Sequence, residues 1–479
     1  MMSTSFPLRS WLVLLLLVTV AFVLHLRVLD LSFFSDDFSV LHRIGVRHDL
    51  GTGSFFRPLP DWTLYFNYRV AGPSPIGFRS VNVLLLAVNA WLVLLLGRNL
   101  LGDDAKGSLA VIAALLFVCY PFHSEPQLWI IGRSTAMATM FTLLALVAAT
   151  SKTNEVMRCI LVGVFGALGA MCYELALLLP LLLVPLVLIA PSRERRVGWA
   201  MVVITAAVAG SNLLLRSLFT GHVANAYGAS FFNEGLRSYL DRAVKVMARL
   251  FLPPDPDPAR QLLLFAMLVV VLSVIIFFLA RLTKREPRGR SMLLVLTSLV
   301  IIACGIGMIG GVSTRTSESD RFLYLPSAFL CMLIAVAIGR LFRGWWRTMV
   351  VCVLLSASVL QLVHGQRNWT TASNVIERIV RETPHAPSTA RLFITGLPGD
   401  VDGAFIFRHG YYEALVFAGR DTARTVRADT VLSHVADARG VPAWSFEHPE
   451  DTVYIKPVDR LEQWTGSGFR RVPHPALRF

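Results

Sequence analysis

Residues 11–38 read WLVLLLLVTVAFVLHLRVLDLSFFSDDF. The stretch joins two unlike environments. Residues 11–29 form an apolar run of about the roughly 20 residues that a membrane helix needs. A few residues later the chain reaches Phe33-Phe34-Ser35-Asp36-Asp37-Phe38, two adjacent carboxylates among aromatics. Paired acids repel, and apolar surroundings raise the pKa of at least one. Two readings follow. One is a general base at the membrane surface. The other is a solvated helix start capped by Asp36 or Asp37. The stretch alone does not choose between them.

Composition sets the class. Of 479 residues, 55% are hydrophobic and only 16% charged, with a mean hydropathy of +0.60; a soluble globular chain carries about 25% charged residues. This is the balance of a polytopic membrane protein. The net charge of +14 sits in short loops between apolar runs, which is an orientation signal and not a nucleic-acid face. Cys119, Cys159, Cys172, Cys304, Cys331 and Cys352 lie in or beside apolar runs without metal-ligand spacing, so they read as small buried residues. The first run has Arg9 before it and no small-residue cleavage site after it, and reads as a retained helix.

Eleven apolar runs predict about eleven crossings, with cores at 11–29, 81–96, 109–122, 135–150, 159–172, 175–190, 197–215, 262–280, 292–311, 322–339 and 349–363. Several are short for a bilayer, as helices are that end at a protein-walled cavity. Arg9, Arg98, Lys106, Lys152, Arg158, Arg193, Arg195, Arg196, Arg281, Lys284, Arg340 and Arg343 fall on alternate loops, which places those loops in the cytoplasm. Basic loops flank runs five and six together, so the pair forms a hairpin with Tyr173-Glu174 at its tip. The opposite face then receives residues 30–79, 123–133, Glu174, 216–261, 312–321 and the tail. Within 30–79, Trp62, Tyr65, Phe66, Arg69 and Val70 have the spacing of an amphipathic helix lying on the membrane, ended by Gly72-Pro73-Ser74-Pro75. Pro253 to Pro258 cannot be helical. The tail is mixed and charged, with strands expected at 391–395 and 452–456 and a helix at 374–381. The expected fold is thus mainly α: a transmembrane core over 1–364 and a small α/β domain over 365–479 on the outer face.

All the candidate chemistry lies on that outer face. It comprises Asp36 and Asp37, Arg57, His123 and Glu125, Arg133, Glu174, Asp320 with Arg321, and Tyr324. His123 and Glu125 equally suit an interfacial hydrogen-bonding cluster, and Asp320-Arg321 a salt-bridged helix start. Glu174 is more pointed: a carboxylate between two apolar runs calls for a cationic partner or a site. Arginine at headgroup level is a natural phosphate clamp. No metal, nucleotide or dinucleotide fingerprint is present. Beside that stands one further reading, a divalent ion on the carboxylates of Asp36 and Asp37.

The order of these motifs resembles a known family. It runs Asp36-Asp37 after the first crossing, Arg57-Pro58-Leu59, then Pro121-x-His123-x-Glu125 with Gly132-Arg133. Glu174 follows, before Leu-x-Leu-Leu-Leu-Pro, and then Asp-Arg-x-Leu-Tyr-Leu-Pro-Ser at 320–327. Over residues 11–369 the pattern resembles the C-type (GT-C) membrane glycosyltransferases, above all the protein O-mannosyltransferases and their transmembrane-and-TPR relatives. The resemblance implies transfer of a sugar from a polyprenyl-phosphate donor to a protein, glycan or lipid acceptor outside the cytoplasm. It implies Asp36 as the base or acceptor-orienting carboxylate, with Asp37 beside it and Glu125 as a further active-site acid. His123, Glu125 and Arg133 would line the acceptor and sugar pocket, and Arg57 or Arg321 would hold the carrier phosphate. Glu174, Asp320 and Tyr324 complete the binding set. Two departures stand out: the tail lacks a TPR-like repeat, and Tyr173 occupies a position associated with lysine in close relatives.

The chemistry fits these residues. A phosphate leaving group needs charge neutralisation and no acid, while the acceptor hydroxyl needs a base. One base with nearby cations suggests inversion at the sugar carbon, in contrast to the two carboxyls of glycosidases. The alternative is a transporter or flippase for a lipid-linked sugar, which would place polar groups near the midplane. An Arg- and Leu-rich chain without retention signals favours a bacterial inner membrane, with the site and C-terminus periplasmic.

Overall fold

The computed structural model describes residues 8–51, 55–101, 108–221, 235–284, 286–386, 389–427, 433–436, 442–445 and 460–472. The chain divides into two compact units, Met1–Leu31 with Arg43–Asn368, and Ser32–His42 with Trp369–Phe479. In chain order the first helices are α1 (Leu8–His25), α2 (Asp36–Leu41), α3 (Pro58–Ala71), α4 (Pro75–Leu101), α5 (Ser108–Val118) and α6 (Ser124–Leu128). They are followed by α7 (Arg133–Ala149), α8 (Glu155–Ala170), α9 (Leu179–Ile189), α10 (Ser192–Thr220), α11 (Leu236–Arg249) and α12 (Pro258–Thr283). The last are α13 (Pro287–Ala303), α14 (Gly305–Gly310), α15 (Tyr324–Leu341), α16 (Trp345–Glu382) and α17 (Tyr411–Phe417).

Each apolar run is centred in a helix, and the first unit is an integral membrane bundle. The count of eleven crossings is not confirmed. Among the described residues, eight helices are long and apolar enough to cross a membrane. Three runs form shorter helices: α5 and α9 have 11 residues each and α8 has 16. At about 1.5 Å per residue they reach about 17 to 24 Å, short of the roughly 30 Å hydrocarbon core. These shortened helices matter for the site. The chain beyond α5 turns through His123 and Glu125, and α8 meets α9 through a 3-10 turn, Glu174–Leu178. Polar residues thereby come to lie at helix ends inside the bundle.

The centre and rim of the bundle are distinct. The span carrying α15 is 78% buried and that carrying α7 is 72% buried, whereas the α12 span is 6% buried. The first two therefore form the core, and α12 presents its apolar surface outward. Helix α4 packs on α1, α5 and α7, α15 packs on α5 and α13, and α10 packs on α8 and α9. The expected surface helix is α3. It starts at Pro58, whose missing N–H suits a first helical turn, and ends at Gly72, where φ is +61°. It buries Leu64 and exposes Trp62, Phe66 and Val70. Helix α11 repeats this device in a segment whose sequence reads as loop: Leu236, Leu240 and Val244 face out while Val246 and Arg249 are buried.

The second unit carries the expected α/β material. Its main sheet has the order β4-β1-β7-β8, built from β1 (Leu392–Thr395), β4 (Thr425–Arg427), β7 (Arg460–Trp464) and β8 (Phe469–Val472). Strand β1 runs parallel to β4 and β7, and β7 is antiparallel to β8. Two hairpins, β2 (Asp400–Val401) with β3 (Ala404–Phe405) and β5 (Ser433–Ala436) with β6 (Pro442–Ser445), complete it. The strand expected at 452–456 lies outside the described residues, and the helix expected at 374–381 is the end of α16. The expected boundary at 364/365, with the whole first loop in the core, differs from the observed units. Segment Ser32–His42 groups with Trp369–Phe479 because its backbone and rings are engaged there: the Ser32 N–H donates to Ser373 Oγ at 2.8 Å and Phe34 packs edge-on against Trp369 at 4.8 Å.

Candidate active site

In the first unit the site is built around Tyr173 and Glu174, at the turn between α8 and α9. The Glu174 carboxylate takes two arginines. Arg57 Nη2 lies 3.0 Å from Oε2, and Arg216 Nη1 lies 3.0 Å from Oε1. Arg57 comes from the residue before α3. Arg216 lies near the end of α10, 1% exposed at its side chain. Its Nε donates to Asn212 Oδ1 at 2.7 Å, one turn back, and its Nη2 donates to the Ala170 carbonyl at 3.2 Å. That carbonyl is one of the last of α8, a group the helix itself leaves without a partner.

Tyr173 links this pair of ion pairs to a third. The Arg57 guanidinium lies over its ring at 4.4 Å. Arg321 Nε donates to its hydroxyl at 3.2 Å. Arg321 in turn is bound to Glu125: its backbone N–H donates to Oε2 at 3.1 Å and its guanidinium pairs with Oε1. The Arg321 guanidinium also lies 5.3 Å from the Trp129 ring and 4.9 Å from the Phe322 ring. Glu125 is buried, while Arg57 and Arg321 keep 18% and 15% of their side-chain surface exposed. Two partly open guanidiniums therefore converge on one tyrosine, each backed by a carboxylate. The Tyr173 ring and hydroxyl here gather two cations.

Asp320, adjacent to Arg321 in sequence, pairs with Arg249 of α11, and their side chains are 4% and 1% exposed. Arg249 Nε also donates to the Ser313 carbonyl at 3.0 Å, and its guanidinium lies over Phe122 at 4.6 Å. This is a buried strut. His123 is fully enclosed. Its Nε2 is 2.8 Å from Ser327 Oγ, and the rings of Phe117, Tyr120 and Tyr324 lie 4.4 to 4.9 Å away. Burial pushes its imidazole well below the ordinary value, so it is neutral. The Tyr324 hydroxyl accepts from Asn89 Nδ2 at 3.2 Å. Arg133, 1% exposed, donates to Asn82 Oδ1 at 2.8 Å, to Asn67 Oδ1 at 2.7 Å and to the Phe78 carbonyl at 2.9 Å, tying α7 to α3 and α4.

The acidic pair lies in the second unit. Asp36 and Asp37 open α2, and Ser35 before them is the N-cap, with φ +44° and ψ −114°. Negative charge suits a helix start. The solvated cap reading is corrected for Asp37, which is fully buried; its Oδ2 accepts the Phe34 N–H at 3.1 Å. Asp36 is half-exposed, with the Ser35 hydroxyl donating to its Oδ1 at 3.5 Å. The two carboxylates thus differ in setting: Asp37 is buried and closes the turn, and Asp36 is partly exposed. Among the described residues no group of three or more His, Cys, Asp or Glu side chains gathers to hold a metal ion.

Sequence reasoning missed Arg216, Arg249 and Arg79. The fully buried Arg79 donates Nε to the Leu128 carbonyl at 2.9 Å and Nη1 to the Leu29 carbonyl at 3.2 Å. Arg216 is a lone cation inside apolar sequence, and that was its available signal; Arg249 follows other charges of α11 and Arg79 sits among polar residues at the start of α4, so nothing local marks either.

No protein-family model matches the chain. Among curated proteins it is similar to protein O-mannosyl-transferase Tmtc1 of Drosophila melanogaster, 33% identical over 144 residues, covering 26% of this chain and 16% of that protein. It is also similar to protein O-mannosyl-transferase TMTC2 of Mus musculus, 34% identical over 96 residues, covering 20% of this chain and 11% of that protein. The alignments thus span between a tenth and a fifth of the length of these two relatives. Among solved structures it is similar to archaeal oligosaccharyltransferase AglB from Archaeoglobus fulgidus in complex with an inhibitory peptide and a dolichol-phosphate. That TM-score is 0.50 at 11% identity, over 85% of this chain and 65% of that one. The resemblance carried by the motifs is borne out: the similar curated proteins are O-mannosyl-transferases, and the fold is the GT-C membrane bundle.

Proposed function

We propose that the chain is a membrane glycosyltransferase. It moves a sugar from a polyprenyl-phosphate-linked donor to a hydroxyl acceptor on the extracytoplasmic side, which is the periplasmic face of a bacterial inner membrane. The observation that carries this reading is the convergence of Arg57 and Arg321 on Tyr173, at helix ends within a membrane bundle. Partly open guanidiniums held by Glu174 and Glu125 suit a phosphate that gains charge as the glycosidic bond breaks. Asp36, the half-exposed member of the acidic pair, is the base that takes the proton of the acceptor hydroxyl. The departing group is the carrier phosphate, and attack from the opposite face inverts the sugar carbon. The curated relatives are named as O-mannosyl-transferases, and a solved neighbour is described with a dolichol-phosphate; a mannosyl or related hexosyl donor is the first class to try.

The test uses full-length protein in lipid nanodiscs with a panel of labelled polyprenyl-phosphate sugars and membrane extract as acceptor source. Wild type should release and transfer sugar. Asp36→Asn should bind donor with unchanged affinity and lose turnover by about a hundredfold to ten-thousandfold, the usual range for a general base. Asp37→Asn should act through stability, because its carboxylate holds the Phe34 N–H. Donor binding without turnover in wild type, across the panel, refutes the transferase and supports a lipid-linked-sugar transporter.

A further inference from the structure

Ser35 holds a backbone conformation that L-residues avoid, with φ +44° and ψ −114°. Such strain persists only where surroundings impose it, and it clusters at functional positions. Here one loop of the second unit supplies the restraint. The Ser35 N–H donates to the Ile406 carbonyl at 2.9 Å, and the His409 N–H donates to Ser35 Oγ at 3.2 Å. Gly410 then passes against the same residue. At its φ of +80°, a Cβ would stand 2.2 Å from the Ser35 carbonyl oxygen and 3.1 Å from Phe38 Cβ. The aromatic residues behind the turn are gripped as well. Phe38 lies 6.2 Å from Phe407 and 6.3 Å from Phe417 by ring centroid. Restraint on both sides of Ser35 therefore sets the direction in which α2, and with it Asp36, leaves the turn.

We infer that residues 406–410 form the positioning element for Asp36, with Gly410 as the residue whose missing side chain lets the loop close on Ser35. The inference rests on the proposed transferase for the role of Asp36, while the restraint itself is independent of any chemistry. The C-terminal unit, on this inference, carries the mould for the acidic turn.

Gly419 supplies the control. It has a similar φ, +73°, but a Cβ there meets nothing within 4 Å. Gly410→Ala and Gly419→Ala therefore impose a similar backbone cost and differ in the close approach. Both are made in the full-length protein and read by kcat, by KM for donor, and by hydrogen exchange of the amides of residues 34–38. Gly410→Ala should lower kcat by about a hundredfold, the scale of a roughly 1 Å misplacement, with KM for donor unchanged. Exchange at 34–38 should rise in Gly410→Ala, and Gly419→Ala should match wild type in every readout. If Gly410→Ala does not fold, Ser35→Ala removes the bond from His409 together with the long hydroxyl bond to Asp36; it should raise exchange at 34–38 by a smaller factor, and exchange is then the deciding readout. Unchanged exchange at 34–38 overturns the inference whether or not the wild type transfers sugar. Raised exchange with unchanged kcat overturns it too, since the turn would then be restrained without serving Asp36. A wild type inactive toward every donor sinks the transferase reading, and exchange alone then decides whether the loop holds the turn.

Discussion

Replacing Glu174 by Gln removes one charge and keeps the shape. The carboxylate sits 3.0 Å from both Arg57 Nη2 and Arg216 Nη1. The two arginines respond differently because their exposure differs. Arg57 is 18% exposed, and water replaces much of what it loses, so that pair contributes about 0–1 kcal/mol. Arg216 is 1% exposed, with Nε on Asn212 and Nη2 on the Ala170 carbonyl. Neither partner carries charge. Removing the carboxylate strands a buried guanidinium, at a cost of about 3–5 kcal/mol. Glutamine also turns an NH2 toward one of the two arginines, where only an acceptor fits. The expected loss for Glu174→Gln is therefore about 3–5 kcal/mol, nearly all of it through Arg216. Denaturant unfolding in detergent, followed by tryptophan fluorescence, measures it. The cycle with Arg216→Met separates the pair from the rest, because the double variant no longer strands a charge. Its destabilisation should fall below the sum of the single changes by about 1–3 kcal/mol. Glu174→Gln within about 0.5 kcal/mol of wild type would refute the reasoning, since it would mean that Arg216 is solvated or neutralised by another group.

Arg249→Met should cost about 3–5 kcal/mol by leaving the buried Asp320 without its partner, and adding Asp320→Leu should recover part of the loss; equal instability of the single and double variants in the same unfolding assay would contradict the pairing. The enclosed His123 predicts an acid limb in stability. Its folded pKa lies below the ordinary 6.5, so between the two values the unfolded chain binds more protons. Its contribution is fully present above about pH 6.5 and is lost as pH falls below that value. Thermal inactivation measured between pH 7.5 and 5.0 should steepen in wild type and flatten in His123→Asn.

Much of the membrane bundle was legible because its signal is long and local. Apolar runs report helices residue by residue, and the helix centres fall where the runs fall. Crossing number is less local, since α5 and α9 are apolar throughout and α8 is apolar beyond Arg158, yet all three stop short, and hydropathy does not register where a helix ends against protein. The surface helix α3 could be read from Trp62, Phe66 and Val70 alone. Helix α11 has the same exposed spacing at Leu236, Leu240 and Val244, but polar residues between them and the proline stop after it gave the segment the look of a loop. In the second unit, strand pairing depends on partners far apart in sequence, so β1 was found and the sheet order was not.

The site divides along the same line. Glu174 announced itself as a carboxylate without a neighbouring charge, and the need for a cation followed from electrostatics. Which cation did not follow. Arg57 lies 117 residues away in sequence and Arg216 lies 42 away, and nothing in either local sequence points to Glu174. Adjacency even misleads: Asp320 and Arg321 are neighbours in the chain, yet one pairs with Arg249 and the other with Glu125. A short 3-10 helix turns successive side chains about a third of a revolution apart, so the two send their charges to different elements. The pairing therefore sorts by direction and depth. Arg249 and Asp320 are both enclosed and hold the bundle, whereas Arg321 stays partly open beside Tyr173 with its counter-ion buried behind it. An arginine that keeps an open side while its carboxylate is fixed is oriented without being used up, and that is what a transient anion requires.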